Sequence, residues 1–460
     1  MSSLIQENIE KGRSFFNTGA SLNYAYRKKA LLKFREVLKN NKTQILDALQ
    51  KDLNKTHYEG FMTEYALVMS ELSLAIKKLR KWMKPQRKMP ALSQMPASAK
   101  LYSEPYGLVL IMSPWNYPFQ LCIIPLIAAI AAGNTVIVKP SAYSKHTSDI
   151  IAEIVKQAFN EGHVSVILGG REENSQLLNG VFDYIFFTGS PTVGKLVMQK
   201  AANNMTPFTL ELGGKSPCII AEDADIKVAA KRIAFGKILN SGQICVAPDY
   251  ALISENIADL FIAELIKAEQ SMLKSKEYAS KCFPKIINEK HRKRILGLIE
   301  ASSPTYQTDF FDPEKGQIPF TIIKNPDENS PVMQEEIFGP VLPVITYKNI
   351  DEAFAFIKKR PKPLALYLFT DSRPLKHRVT KEISYGGGCI NDTVIHLASH
   401  SLPFGGVGNS GIGHYHGKYG FDTFSHKKSV LSKWKLFDLP VRYHPIKDAK
   451  KTLPQILFDK

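Results

Sequence analysis

The stretch GLVLIMSPWNYPFQLCIIPLIAAIAAGNTVIVKP, Gly107 to Pro140, decides the fold. "GLVLIM" and "TVIVK" are apolar runs of strand length. "QLCIIPLIAAIAAG" between them is long enough for a helix that is apolar all round and therefore buried. Strand, buried helix and strand in this span predict two parallel strands joined by a crossover. The alternation continues downstream with "SDIIAEIVKQAF" as an amphipathic helix, "VSVIL" and "YIFF" as strands, and "VGKLVMQKAA" as a helix. The expected class is α/β with a doubly wound parallel sheet, which binds ligands at the carboxyl ends of its strands.

Upstream, Leu31, Phe34 and Leu38, then Ile45, Leu49 and Leu53, repeat at helical spacing, so the first eighty residues read as helices with one apolar face each. A Pro-rich basic stretch, "KPQRKMPALSQMPASAK", breaks that period and reads as a linker or an edge hairpin. Beyond the first sheet a second α/β region runs from "CIIAEDADIKVAAKRIAFGKI" to "SYGGG", with "YALIS", "FTIIK" and "VLPVITY" as strands.

At 460 residues, 44% hydrophobic and 22% charged, the chain is expected to be globular with two or three domains. Its N-terminus lacks the pattern of a secretory signal, and its longest apolar run, Leu121 to Ala132, is short for a membrane span. A reducing, cytoplasmic address follows as an expectation. The net charge of +17 is concentrated in Lys77–Lys100 and Lys427–Lys460, and the rest is nearly neutral without an arginine-aromatic pattern. That distribution argues against a nucleic-acid partner and reads as two solvated faces, with at most a weak peripheral attraction to anionic lipid.

Five cysteines without a C-x-x-C pair suggest neither a disulfide framework nor a zinc site. Cys245 stands out in "NSGQICVAPD", where Asn240, Ser241, Gly242 and Gln243 describe a loop that exposes backbone N–H groups beside a thiol. Glu211 in "TLELGGKSP" interrupts an apolar strand, as a paired carboxylate or as a base with a raised pKa. "FFTGSPTVGK" ends a strand and opens a helix, placing Gly189, Ser190 and Gly194 where free N–H groups suit a pyrophosphate. "GGVGNSG" has dinucleotide-fingerprint spacing but no preceding strand, and "GGKS" lacks the earlier glycine of a P-loop, so both readings fail. His396 and His400 lie one helical turn apart without a nearby carboxylate and read as structural; no metal site is expected.

Taken together and in order, "PWNYPF", "FFTGSPTVGK", "LELGGKSP", "NSGQICVAPD", "EEIFGPVLPV" and "LPFGGVGNSGIG" resemble the signature set of the aldehyde dehydrogenase superfamily. "HSLPFGGVGNSGIGHYHGKYGFDTFSHKKSV" and the short N-terminal region resemble its class 3 branch, whose members are dimers acting on aliphatic and aromatic aldehydes. The resemblance implies that Cys245 is the nucleophile, that the Asn116 amide and the Cys245 N–H hold the oxyanion, and that Glu211 activates water to hydrolyse a thioester. It implies that Lys139 binds the adenosine ribose, that Gly189, Ser190 and Gly194 bind the pyrophosphate, that Glu336 binds the nicotinamide ribose, and that Phe338 packs beside the nicotinamide. The family commonly has a glutamate three residues after that lysine, where this chain has Ala142, so both NAD and NADP are expected as cofactors.

The implied domain map is 1–82 helices packing on the cofactor domain, 83–105 an oligomerisation hairpin and 106–211 the dinucleotide-binding domain. It continues with 212–388 the catalytic domain, 389–433 a return segment and 434–460 a basic tail, in a homodimer. Two competing readings are a dehydrogenase passing the thioester to coenzyme A or phosphate, and a cysteine hydrolase or acyltransferase. Glu211 favours water as acceptor, and no histidine lies near Cys245 in sequence to form a Cys–His pair.

Overall fold

A computed structural model describes residues 3–436 and 443–444. Most of the expected basic tail therefore lies outside the described residues. The N-terminal helices are α1 (Ser3–Asn17), α2 (Tyr24–Asn40), α3 (Lys42–Leu53), α4 (His57–Gly60) and α5 (Ala66–Met83). The apolar positions Leu31, Phe34, Leu38, Ile45, Leu49 and Leu53 are all buried. Between α4 and α5 the chain winds as one π-helical turn, Phe61–Tyr65.

The basic stretch supplies β1 (Gln86–Lys88) and β2 (Ala97–Pro105), antiparallel partners rather than a linker. Then come β3 (Leu108–Met112), α6 (Gln120–Ala132), β4 (Thr135–Lys139), α7 (Lys145–Ala158), β5 (Val164–Val166), α8 (Arg171–Leu178), β6 (Tyr184–Gly189), α9 (Pro191–Ala202) and β7 (Phe208–Leu212). Strands β3 to β7 pair in parallel in the order β7-β6-β3-β4-β5.

Alternation of side chains explains why this sheet is covered on both faces. Val109, Ile111, Val136, Val138 and Phe186 pack with α2, α5, α6 and α7, whereas Leu108, Leu110, Ile137, Ile185 and Phe187 pack with α1, α8 and α9. Every residue of α6 is buried, which is what an all-round apolar helix requires. The chain runs from β3 outward to β5, then returns to β6 on the other side of β3. This reversal opens a crevice beyond the carboxyl ends of β3 and β6. Strand β5 stops at Val166, two residues before the end of the apolar run, because Ile167 and Leu168 already belong to the turn into α8.

Residues 213–216 cross to the second sheet. Its strands are β8 (Pro217–Ile220), β9 (Tyr250–Ser254), β10 (Tyr306–Gln307), β11 (Thr321–Lys324), β12 (Val341–Tyr347), β13 (Ala365–Phe369) and β14 (Gly387–Ile390). They lie in the order β10-β11-β12-β9-β8-β13-β14, parallel except at β10. Helix α10 (Ile226–Ile238) leads from β8 to the cysteine loop. Cys218, Ile220, Ala251, Ile253, Leu342, Val344 and Tyr367 join the same core as the first sheet, so one apolar interior spans both sheets.

The chain then returns to the first sheet as β15 (Gly411–Ile412), antiparallel to β7, and closes with β16 (Ser425–Lys433), which pairs with β2 over nine residues. Lys427 donates to Ser103 Oγ at 2.7 Å, Lys428 pairs with Glu104, and Lys433 donates to the Gln94 carbonyl at 3.1 Å. Part of the second basic cluster thus lies in this sheet.

Candidate active site

The crevice is a cleft of about 820 Å³ lined by Asn116, Gly189, Ser190, Glu211, Cys245, Glu336 and Phe338, with Trp115, His291, Phe404 and Tyr415 adding an aromatic wall. Lys139 and Gly194 do not line it. Gly194 is buried, and a Cβ there would come within 2.8 Å of Leu212, so this glycine lets α9 approach β7 closely. Lys139 ends β4 with its ammonium donating to the Pro140 carbonyl at 2.8 Å and the Gly169 carbonyl at 2.7 Å, which leaves one of three protons free. Burial lowers its pKa to about 8, and Glu173 acts in the opposite sense. That carboxylate is committed to capping α8, accepting from Gly170 N at 2.6 Å. Ala142 is exposed in the turn between β4 and α7.

The cysteine loop leaves α10 through two left-handed residues, Asn240 (φ 50°) and Ser241 (φ 55°), both fully buried. Neither is glycine, so the conformation costs on the order of 1 kcal/mol per residue and persists only because its surroundings enforce it. Gln243 does part of this by donating to the Asn240 and Lys285 carbonyls, each at 3.0 Å. The Cys245 thiol faces its own N–H and that of Val246, which favour a thiolate. Burial, then Glu336 and Glu211, push its pKa up more strongly. Asn116 sits at the end of the β3 loop, its amide donating to the Gln243 carbonyl at 3.0 Å, with the second N–H left for another acceptor.

Glu211 projects from β7, its backbone held between Thr188 of β6 and Gly411 of β15. Its side chain is 3% exposed, neither oxygen has a hydrogen-bond partner, and burial raises its pKa well above 4.5. Glu336 is raised to about 8 by burial and Asp249, against the opposing pull of the Gly214 N–H and Lys215. A Cβ on Gly213 would run into the Glu336 carboxylate. Phe338 is itself left-handed (φ 52°) and meets Trp115 edge-on at 5.4 Å.

Sequence reasoning did not reach Arg294, whose guanidinium donates to the Ile337 carbonyl at 2.6 Å and the Glu336 carbonyl at 3.3 Å and so fixes the backbone of that loop. No local signal marks it on its helix. The two histidines serve different partners: His396 Nδ1 lies 3.6 Å from Cys389 Sγ, and His400 Nδ1 lies 2.7 Å from Glu71.

The donor set fits a dinucleotide. Ser190 caps α9, accepting from Val193 N at 3.4 Å, so the positive end of that helix opens on the cleft, and Gly189 and Gly213 leave the approach clear. The cleft thus brings together a helix N-terminus, a thiol and an unpaired carboxyl.

The profile of the Aldehyde dehydrogenase family matches residues 2–430. The chain is 43% identical to the 4,4'-diaponeurosporen-aldehyde dehydrogenase of Staphylococcus aureus over 97% of its length and 98% of that protein. It is 41% identical to the rat (Rattus norvegicus) "Aldehyde dehydrogenase, dimeric NADP-preferring" over 94% and 95%. A solved structure of the substrate-bound state of Staphylococcus aureus AldH superposes with a TM-score of 0.94 at 43% identity, covering 97% of each chain. The chain belongs to the aldehyde dehydrogenase family. Its reaction is the oxidation of an aldehyde to a carboxylic acid with NAD or NADP.

Proposed function

We propose that the chain oxidises medium- to long-chain aliphatic or aromatic aldehydes through a thiohemiacetal and a thioester on Cys245, with NADP at least competitive with NAD. The observation that carries this reading is Glu211, a buried carboxyl with both oxygens unengaged in the cleft that holds the thiol.

Cys245 Sγ, having given its proton to solvent water, forms a bond to the carbonyl carbon while the carbonyl electron pair moves onto oxygen, where the free N–H of Asn116 and the N–H of Cys245 stabilise it. When bound, the dinucleotide supplies the acceptor for the hydride that leaves this carbon. Glu211 then takes a proton from water as its oxygen attacks the thioester, and the C–S bond breaks to return the thiolate. A carboxyl raised by burial is a stronger base once ionised, which suits this second half. Gly189 and Ser190 would hold the pyrophosphate, Glu336 and Phe338 the nicotinamide end, and Lys139 the adenosine end.

A homodimer through the three-stranded sheet fits its geometry, since β16 is an edge strand and carries the exposed Val430 and Leu431. A cytoplasmic address is supported by the five free thiols. Among the described residues no helix is long and apolar enough to cross a membrane.

The test is acid-quenched mass spectrometry of the Cys245 peptide during turnover of hexanal or benzaldehyde with NADP. The expected result is an acyl adduct that accumulates in Glu211→Gln. Turnover without any mass shift on that peptide overturns the reading.

A further inference from the structure

Beneath the cleft lies a buried polar network, from a part of the chain far from the reacting residues in sequence. Lys55 is fully buried, its ammonium donating to Glu64 Oε1 at 2.6 Å and to the Asn116 carbonyl at 3.1 Å, and it lies 3.9 Å from the centre of the Tyr117 ring. Glu64, also fully buried, uses its other oxygen to accept from Phe119 N at 2.9 Å and Gln120 N at 3.1 Å. The pair thus grips the loop that carries Asn116 at two points. Four residues from Lys55, Glu59 Oε1 accepts from Asn240 N at 2.9 Å, at the first of the two left-handed residues. The two loops are tied together by Asn240 Nδ2, which donates to the Asn116 carbonyl at 2.8 Å and the Gln243 carbonyl at 3.1 Å.

The segment that makes these bonds includes the π-helical turn Phe61–Tyr65, which carries Glu64. Such turns recur at functional sites in helices. Two donors on separate loops must converge on one oxygen to within a fraction of an ångström, and neither loop fixes the other by covalent connection.

We propose that residues 55–64 form a clamp that sets the register of the oxyanion site, with Lys55 and Glu64 acting through Asn116 and Glu59 acting through Asn240. These are positioning residues, and the assignment rests on the reading that Asn116 and the Cys245 N–H hold the oxyanion.

Glu59 gives the cleanest test. Burial raises its carboxyl to about 7, so glutamine there keeps the acceptor at little electrostatic cost, whereas leucine removes it. Single-turnover formation of reduced cofactor from benzaldehyde and NADP is measured for Glu59→Gln, Glu59→Leu, the paired Lys55→Met/Glu64→Gln variant and Asn116→Ala. Thermal midpoints and the Kd for NADPH are measured alongside. Loss of one oxyanion donor costs roughly 10²–10³-fold and misplacement by about 1 Å about 10²-fold. The expected result is a loss of about 10²–10³-fold in Asn116→Ala and about 10–10²-fold in Glu59→Leu and in the paired variant. The Glu59→Gln rate should be within about threefold of wild type, well inside the scale of a lost donor, with cofactor Kd unchanged throughout.

If Asn116→Ala acylates normally, the oxyanion reading fails and the clamp with it. If Asn116→Ala is slow while folded Glu59→Leu is as fast as wild type, the clamp alone is overturned. Equal losses in Glu59→Gln and Glu59→Leu overturn its geometric basis. Should the paired variant not fold, the Glu59 variants decide the matter.

Discussion

Polar groups are treated in opposite ways within the cleft and beside it. Where α8 and α9 begin, at the end proposed to hold the adenosine, they are spent on structure: Lys139 holds two carbonyls, Glu173 caps α8 and Ser190 caps α9. At the thiol end Glu211 is buried without a partner, Glu336 is raised to about 8, and three non-glycine residues stand in left-handed conformations. At the holding end Lys139, Glu173 and Ser190 are engaged by the protein, whereas at the reacting end the Glu211 carboxyl is unpaired and the backbone is strained. Groups engaged by the protein can position a ligand, but only an unengaged group is free to exchange a proton with it.

The contrast can be broken from the reacting end first. Cys245→Ala should lower kcat by at least about 10⁴-fold, the scale of removing a covalent nucleophile, while the Kd for NADPH stays unchanged; comparable residual turnover would move the nucleophile elsewhere. Glu211→Gln should slow deacylation by about 10²–10⁴-fold and leave acylation within about tenfold, so that a burst of reduced cofactor appears in stopped-flow traces. A steady-state rate equal to wild type would remove Glu211 from the mechanism.

At the holding end the effects should be smaller. Ala142→Glu should shift the kcat/KM ratio toward NAD by about tenfold, equivalent to about 1.4 kcal/mol, through like-charge repulsion of the 2′-phosphate. A wild-type enzyme that already rejects NADP, and a variant with the same ratio, would show that a neighbouring residue supplies the missing carboxylate. Because Lys139 is held near about 8, its charge and its attraction for that phosphate are present below this pH and lost above it. The NADP-to-NAD ratio of kcat/KM should therefore fall severalfold between pH 7 and pH 9, and a flat ratio would exclude Lys139 as the phosphate partner.

The smallest effect is on stability. Glu211 has a folded pKa above its unfolded one, so its contribution is fully present below about 4.5 and is lost as pH rises through the folded value. Glu211→Gln should thus gain thermal midpoint relative to wild type as pH increases, as read from thermal melts of both proteins at pH 5 and pH 8.

The sequence shows most of the first sheet, because its strands and α6 are buried on every side and must be apolar. It hides α8, whose "REENSQLL" buries only Leu177 and Leu178, and β15, whose two residues are too few to show a period. The reacting residues are legible as motifs, each short and local. What supports them is not: Lys55, Glu59, Glu64 and Arg294 act across distances in sequence that no window spans, and each looks like an ordinary surface charge until the chain is folded.

The pairing of β16 with β2 joins positions more than three hundred residues apart. A ribosome can complete most of the first sheet long before it delivers β16, so β2 emerges with one edge covered only by the short β1 and the other bare. During synthesis that bare edge is a template for the corresponding strand of another nascent chain. The order of translation therefore makes β16 the last of the described strands to be delivered, and that edge of β2 stays open until it arrives.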